Sequence, residues 1–226
     1  MKYLAIDTAA GFCAACVYDA QAGVELGRDV IELAKGHAEH VMAVIGRALE
    51  NAGISYDRLD AVAVCVGPGS FTGVRVGVSA ARGLALARGI PAIGVTSLEA
   101  LAVEAREVSP GQAVLVALGQ RAEGLFAAAY DAAGEVLMEA ASVPVDDLAG
   151  WARKARPLLC GSAAGLVAEK AGVTLAMGSL AATADIATYA RLAAAGGTEG
   201  PRPKPLYLRA PDAAPQQNFA LPRREA

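Results

Sequence analysis

The sequence has no surplus of positive charge. Its 226 residues include 20 lysines and arginines against 23 acidic residues, so the formal net charge is −3. This balance argues against a broad basic surface for nucleic acid, although a small local patch stays open. Any role on RNA therefore requires a partner that supplies positive charge.

Long uncharged runs are also missing. No stretch of about 18 apolar residues occurs, so we expect no membrane span. Asp7 interrupts the apolar residues that follow Lys2 too early for a signal sequence. We therefore expect a cytoplasmic protein, and the 54% hydrophobic composition is enough for a substantial core.

Metal-ligating residues are scarce. The four cysteines are Cys13, Cys16, Cys65 and Cys160, and the first two have C-x-x-C spacing, but no second pair completes a zinc site. Cys13 and Cys16 fall in one predicted strand, where residues three apart point to opposite faces. We expect buried thiols in a reducing compartment. The two histidines, His37 and His40, make an incomplete metal site by themselves, so we predict surface or interface histidines and no metal.

A glycine-rich turn at residues 67–73 organises the chain. It lies between an apolar strand at 61–66 and a helix at 74–88, and Gly67, Pro68, Gly69 and Ser70 form the turn itself. Amides at the start of the helix can hold an anion or a partner's carbonyl. The glycine spacing does not match a dinucleotide fingerprint or a P-loop, so a tight structural turn stays an equal alternative.

The helix after the turn has two different faces. Gly73, Gly77 and Ala80 share one face, and glycine in a helix costs about 1 kcal/mol against alanine, so we expect another backbone to lie close to it. Arg75 and Arg82 lie on the other face, where they either contact tRNA phosphates or a partner's acids, or are simply solvated.

The preceding helix, 37–52, also has an unusual surface. Its apolar arc covers roughly 160°, wider than the ~100° that one core-facing side needs. Because exposed apolar patches mark interfaces, the two helices together predict a docking surface.

The order of elements repeats along the chain. Strands at 2–8, 12–18 and 24–33 precede a helix, a strand at 61–66, the second helix, a strand at 92–95 and a helix at 98–107. Strands at 113–118, 124–130 and 135–140, helices at 145–154 and 163–171, and strands at 158–160 and 173–176 follow. This α/β pattern predicts two similar lobes, 1–108 and a smaller one at 109–210 with a closing helix at 183–195, and then a flexible tail at 211–226.

The segments GPGSFTGVRVG, ALARGIPAIGVTSLEALA, LAIDTA, GHAEHVMAVI and PLYLRAPDA resemble the TsaB (YeaZ) family of bacterial tRNA threonylcarbamoyladenosine biosynthesis proteins. The resemblance implies the duplicated, two-lobed actin-like ATPase fold. It also implies a pseudo-enzyme that docks on the catalytic subunit TsaD, works with the ATPase TsaE, meets tRNA only through the complex, and forms a homodimer when alone. The complex adds a threonylcarbamoyl group to the adenosine next to the tRNA anticodon (t6A).

By position, the resemblance places the partner and dimer interface on the two helices. It implies no catalytic residue and no cofactor of the chain's own, with ATP or ADP at the partner interface left open. Family members carry Asp-Ala-Arg where this chain has Gly119, Gln120 and Arg121, so a role tied to that acid is in doubt. The interface residues carried over are His40, Val41, Val44, Phe71, Thr72, Gly73, Val76, Gly77 and Ala80.

An autonomous enzyme is the alternative. Asp7 and Thr8 stand where actin-like ATPases place their first phosphate loop, but no clear second or adenosine-binding loop follows, and we expect both to bond the hairpin turn. Ser70 is not in a G-x-S-x-G elbow, so serine hydrolysis has little support. A small-molecule kinase or ATPase, a metallopeptidase-like protein and a purely structural dimer remain as alternatives.

Overall fold

Two β-sheets organise the computed structural model, which describes residues 1–119, 124–197 and 202–209. The first sheet has five strands, with two α-helices and a short 3-10 helix at Tyr56–Arg58 between them and a third α-helix after the last strand. The strands are β1 (Lys2–Asp7), β2 (Phe12–Asp19), β3 (Val24–Glu32), β4 (Ala61–Cys65) and β5 (Ala92–Val95), and the helices are α1 (His37–Asn51), α2 (Phe71–Arg88) and α3 (Ser97–Val108).

The second sheet is smaller. The remaining strands are β6 (Val114–Leu118), β7 (Leu125–Tyr130), β8 (Val136–Val143) and β9 (Leu158–Cys160), and the helices are α4 (Val145–Ala155), α5 (Ala164–Ala171) and α6 (Ile186–Ala195).

Among the helices of the described stretches, none combines the length and apolar character needed to cross a membrane.

The two sheets repeat one topology, as the sequence predicted. Their strand orders are β3-β2-β1-β4-β5 and β8-β7-β6-β9. In each, a parallel strand pairs with the first strand of an antiparallel three-stranded meander, and the first sheet adds a second parallel strand, β5, next to β4. All five residues of β4 are buried, which is typical of a strand covered on both faces of its sheet.

The predicted strand at 173–176 is wrong. Only an isolated parallel bridge between Leu159 and Met177 is present beside β9. The segment lies at the open edge of the second sheet, and Val173, Thr174 and Ala176 are exposed there. With little apolar area to bury, nothing extends that single bridge into a strand.

The closing helix belongs to the first lobe rather than the second. α6 packs against β1 and β2 of the first sheet, so the predicted boundary at 109–210 does not describe the packing. The helix begins at Ile186, not at 183, because the Asp185 side chain accepts a hydrogen bond from the Ala187 amide and caps it. Arg28 on β3 pairs with Asp185 at 2.8 Å and ties this cap to the first sheet.

The other helix ends follow local capping. α2 begins at Phe71, three residues before its predicted start, because the Ser70 hydroxyl accepts a hydrogen bond from the Gly73 amide. Thr96 caps α3, because its hydroxyl accepts a hydrogen bond from the Glu99 amide. The predicted tail at 211–226 lies outside the described residues.

Candidate functional site

The glycine turn is tied to the rest of the first lobe by its own backbone. The Ser70 amide donates to the Ala9 carbonyl at 2.7 Å, and the Ser97 hydroxyl donates to the Pro68 carbonyl at 2.9 Å. A Cβ at Gly69 would lie 2.3 Å from the Ala9 carbonyl oxygen, so only glycine fits there. These contacts support the structural interpretation of the turn, since the Ser70 amide is already bonded within the chain.

The close backbone approach predicted for the glycine face of α2 is confirmed at Gly73, where the neighbour is the chain's own Thr8, whereas Gly77 lies against the side chain of Thr8. The Thr8 hydroxyl donates to the Gly73 carbonyl at 2.7 Å. A Cβ would lie 2.0 Å from the Thr8 carbonyl oxygen if built on Gly73, and 2.6 Å from the Thr8 hydroxyl if built on Gly77. Both glycines are buried, so their placement in direct contact with a partner is corrected.

The same correction applies to two residues of α1. Val41 and Val44 are buried, and Val44 is 0% exposed. The wide apolar arc of α1 is used largely within the lobe, because the helix packs on β2 and β3 on one side and on α2 on another. Of the residues in that arc, Met42 stays exposed, at 48%.

The remaining predicted interface residues do reach the surface. His40, Phe71 and Thr72 are exposed, and Val76 and Ala80 are half-buried. α1 and α2 lie against each other, as predicted, so these side chains belong to one pair of adjacent helices. We call the following set the helix-pair surface: His40, Met42, Phe71, Thr72, Arg75, Val76 and Ala80.

Arg75 is held in place on this surface by two aromatic rings. Its guanidinium carbon lies 3.7 Å from the centroid of the Phe71 ring and 5.6 Å from that of Tyr207. Its Nε donates to the Tyr207 hydroxyl at 2.7 Å. Sequence reasoning did not connect Tyr207 with the site, although the residue lies in the PLYLRAPDA segment that carried part of the resemblance. Arg82 is exposed further along α2.

A buried polar network closes the end of β1. Asp7 accepts hydrogen bonds from the Ala9 amide at 2.8 Å and from the Thr183 hydroxyl, which also bonds the Tyr189 hydroxyl at 2.6 Å. The prediction that Asp7 bonds the hairpin turn is therefore confirmed, whereas Thr8 bonds α2 instead. Burial raises the pKa of Asp7, although the hydrogen bonds from Thr183 and Ala9 act in the opposite direction.

A small cavity adjoins this network. It has a volume of about 200 Å³, and Asp7, Arg28, Thr183 and Asp185 contribute its polar lining. Arg28 is already paired with Glu25 and Asp185. The polar groups that line the cavity are therefore already paired with one another, Asp7 with Thr183 by a hydrogen bond and Arg28 with Asp185 by an ion pair.

The two histidines have different surroundings. The Nε2 of His37 lies 3.0 Å from the Ala10 carbonyl, while His40 is exposed. Within residues 1–119, 124–197 and 202–209, no group of three histidine, cysteine or acidic side chains is arranged to hold a metal ion.

Gly119 donates its amide to the Ser162 hydroxyl, and Gln120 and Arg121 lie outside the described residues.

The four thiols are buried and free, as predicted. Burial raises the pKa of Cys13 to about 11 and also raises the pKa values of Cys16, Cys65 and Cys160. We expect none of them to react rapidly with Ellman's reagent in the native protein at pH 8, and all four to react once the chain is unfolded in denaturant. One rapidly reacting thiol in the native protein would contradict this arrangement.

Comparison with known proteins places this architecture among its relatives. The family model described as TsaD, tRNA N6-adenosine threonylcarbamoyltransferase, matches residues 31–186. The TsaB proteins of Haemophilus influenzae and Escherichia coli, described as tRNA threonylcarbamoyladenosine biosynthesis proteins, are each 34% identical, over 56% and 58% of this chain. The alignments cover 52% and 55% of those relatives, so the chain spans about half the length of the curated relatives it matches.

A solved structure covers nearly the whole chain. A crystal structure from Pseudomonas aeruginosa, described as an uncharacterized protein with similarity to peptidase YEAZ, is 25% identical with a TM-score of 0.76. It covers 92% of this chain and 99% of its own. The predicted α/β class with a duplicated, two-lobed actin-like fold is confirmed by this likeness and by the two repeated sheets. The chain belongs to the family that the TsaD-type model describes, and it is similar to the relatives named TsaB and YeaZ.

Proposed function

We propose that the chain is a non-catalytic subunit of the machinery that adds a threonylcarbamoyl group to the adenosine next to the tRNA anticodon. It acts by docking on a TsaD-type catalytic subunit through the helix-pair surface. Two findings support the pathway: the relatives named TsaB are described as biosynthesis proteins for this modification, and the family model is that of the transferase.

The observation that carries the non-catalytic role is the internal use of the polar groups at the end of β1. An actin-like ATPase needs the groups of its first phosphate loop free to hold phosphate and magnesium. Here the Thr8 hydroxyl bonds Gly73, and both oxygens of the Asp7 carboxylate accept bonds from within the chain. These bonds stabilise the turn and the segment before α6, which supports a structural role for both residues.

The helix-pair surface supplies the features that a protein partner requires. Phe71 is 44% exposed and Met42 is 48% exposed, and both lie on helices that already pack together. Exposed aromatic, methionine and arginine side chains are enriched at the centres of protein interfaces. The same surface supports a homodimer in the absence of the partner.

The other participants follow from charge and chemistry. Since the net charge of the chain is −3, we propose that tRNA is bound mainly by the partner. We further propose a TsaE-type ATPase as a third component, and ATP or ADP, if it takes part, at the interface with the partner rather than within this chain.

Reconstitution with the TsaD-type subunit of the same organism tests the proposal. We expect a mixed complex by size-exclusion chromatography with light scattering, and we expect t6A formation by the reconstituted proteins to require this chain. Thr72→Glu adds charge and bulk at an exposed position of the helix-pair surface, and we expect at least tenfold weaker binding.

Leu137→Glu is the matched control. Leu137 is 52% exposed on β8 in the second lobe, so the same type of substitution is placed away from the helices. It should bind like wild type. The absence of a mixed complex would contradict the docking function, and equal binding by both variants would contradict its location.

An autonomous phosphotransferase is the second candidate, favoured by one observation. The Asp7 carboxylate adjoins a cavity that also contains Arg28. The cavity volume of about 200 Å³ is smaller than the ~300–1,000 Å³ of typical small-molecule sites, which weighs against it. ATP hydrolysis by the isolated chain that is lost in Asp7→Asn would support this candidate and overturn the non-catalytic role.

A further inference from the structure

The surface of α2 contains a preorganised arginine. Phe71 and Tyr207 lie with their ring centroids 5.3 Å apart and tilted by 38°, and the Arg75 guanidinium lies close to both. Both rings are exposed, Phe71 by 44% and Tyr207 by 49%. We call Phe71, Arg75 and Tyr207 the arginine cluster.

The cluster joins two distant parts of the chain. Phe71 and Arg75 are one turn apart on α2, whereas Tyr207 comes from the segment after α6. That segment is held against the first sheet because the Leu206 amide donates to the Val66 carbonyl at 2.8 Å. The backbone next to Tyr207 is therefore fixed to the first lobe by this hydrogen bond, which positions the Tyr207 ring beside α2.

The geometry restricts what Arg75 can still bind. One side of the guanidinium stacks on Phe71, and Nε is used by the Tyr207 hydroxyl. Among the residues that the structure describes, no hydrogen bond uses the two terminal nitrogens, and they form a planar fork that matches the two oxygens of a carboxylate. In the part of the chain that the structure describes, no carboxylate forms an ion pair with Arg75.

We propose that the arginine cluster is the central contact of the helix-pair surface and that it receives a carboxylate side chain, flanked by apolar residues, from the TsaD-type subunit. This inference rests on the proposed docking function. The rings supply apolar area around the charge and limit its exposure to water. Aromatic side chains together with arginine, which a partner would bury, are the composition typical of binding hot spots.

Charge and composition favour a protein over RNA as the occupant. A site for the phosphate backbone uses several cations, whereas α2 has two arginines besides Arg75, and one of them, Arg88, already donates a hydrogen bond to the Asp57 carbonyl. Val76 on α2 and Met42 on the adjacent α1 are partly or fully exposed apolar side chains on the same pair of helices, which suits a protein interface.

The test measures the affinity of the full chain for the TsaD-type subunit by isothermal titration calorimetry. We expect Arg75→Ala to weaken binding by about 30-fold or more, and Arg75→Lys by about tenfold because lysine lacks the fork. Tyr207→Ala should weaken binding by about tenfold, since it removes the ring and the bond to Nε. Tyr207→Phe, which keeps the ring, should cost about threefold.

Arg82→Ala is the matched control because it removes an exposed arginine from the same helix. It should change affinity by less than about twofold. Wild-type affinity should also fall as salt rises, and this dependence should be weaker for Arg75→Ala. Thermal unfolding of each variant establishes that the fold is intact.

The outcomes separate this inference from the proposed function. If wild type binds and all cluster variants bind within twofold of it, the cluster proposal is overturned while docking stands. If wild type does not bind, the proposed function itself fails. Variants that change only self-association, or only tRNA binding by the assembled complex, would overturn the assignment to the TsaD-type partner.

Discussion

Gly73→Ala is expected to lower the free energy of unfolding by about 3 kcal/mol or more. The added methyl group would lie 2.0 Å from the Thr8 carbonyl oxygen, which is backbone and cannot rotate away. Relieving that overlap must separate α2 from β1 and break the 2.7 Å hydrogen bond between the Thr8 hydroxyl and the Gly73 carbonyl. Urea unfolding followed by circular dichroism measures the effect.

Two other glycines of α2 calibrate this result. Gly77→Ala should cost less, about 1–2 kcal/mol, because its methyl group would meet a side-chain hydroxyl 2.6 Å away that can shift. Gly83 has nothing within 4 Å of a Cβ, so Gly83→Ala should stabilise the helix by up to about 1 kcal/mol. If Gly73→Ala and Gly83→Ala had the same stability, the close approach of α2 to β1 would be refuted.

Asp7→Ala is expected to lower the free energy of unfolding by about 2–4 kcal/mol. The substitution removes the acceptor of two buried hydrogen bonds, one from the Ala9 amide and one from the Thr183 hydroxyl. Because Thr183 precedes α6, the loss should also loosen that helix from the first sheet. Hydrogen exchange of the α6 amides, compared with those of α4 in the second lobe, measures this local effect.

Asp7 also predicts a pH dependence with a definite sign. Burial raises its pKa in the folded state, so between its ordinary value of 3.8 and the raised value the folded chain keeps a proton that the unfolded chain has released. The contribution of Asp7 to stability is therefore present below that window and is lost as pH rises through it, with a slope of at most about 1.4 kcal/mol per pH unit.

Asp7→Asn separates this contribution from other acids. Glu99 and Glu104 also have raised pKa values, whereas Asp185 has a lowered one, so the raw pH profile is a sum. We expect the stability of wild type relative to Asp7→Asn to fall as pH rises above about 4. A relative stability that rises with pH would mean that the native site favours the charged form of Asp7.

The burial pattern changes how the docking surface must be tested. Substituting Val44 or Gly77 would disturb the fold, because Val44 is 0% exposed and Gly77 is packed on Thr8. A loss of partner binding in such variants would therefore not locate an interface. Thr72, Arg75 and Tyr207 are exposed, so their substitution changes the surface with less risk to the core.

Most of the architecture could be predicted from local patterns. The apolar run at 61–66 predicted β4, and the glycine-rich sequence after it predicted the turn. The repeated order of predicted strands and helices predicted both sheets. The strand predicted at 173–176 failed because strand formation depends on a neighbour and on burial, which a short apolar run does not guarantee. Capping moved the starts of α2 and α6, since a single side-chain hydrogen bond decides where a helix begins.

The sequence by itself determined the α/β class, the duplication, the location of the glycine turn and the need for a close backbone beside Gly73. These features depend on residue type and spacing along the chain. Only the tertiary structure decided which backbone fills that space, that α6 covers the first sheet, and that Tyr207 joins Arg75. Those contacts link residues far apart in the chain, where the identity of the neighbour depends on how the elements pack together and leaves no periodic signal in either segment.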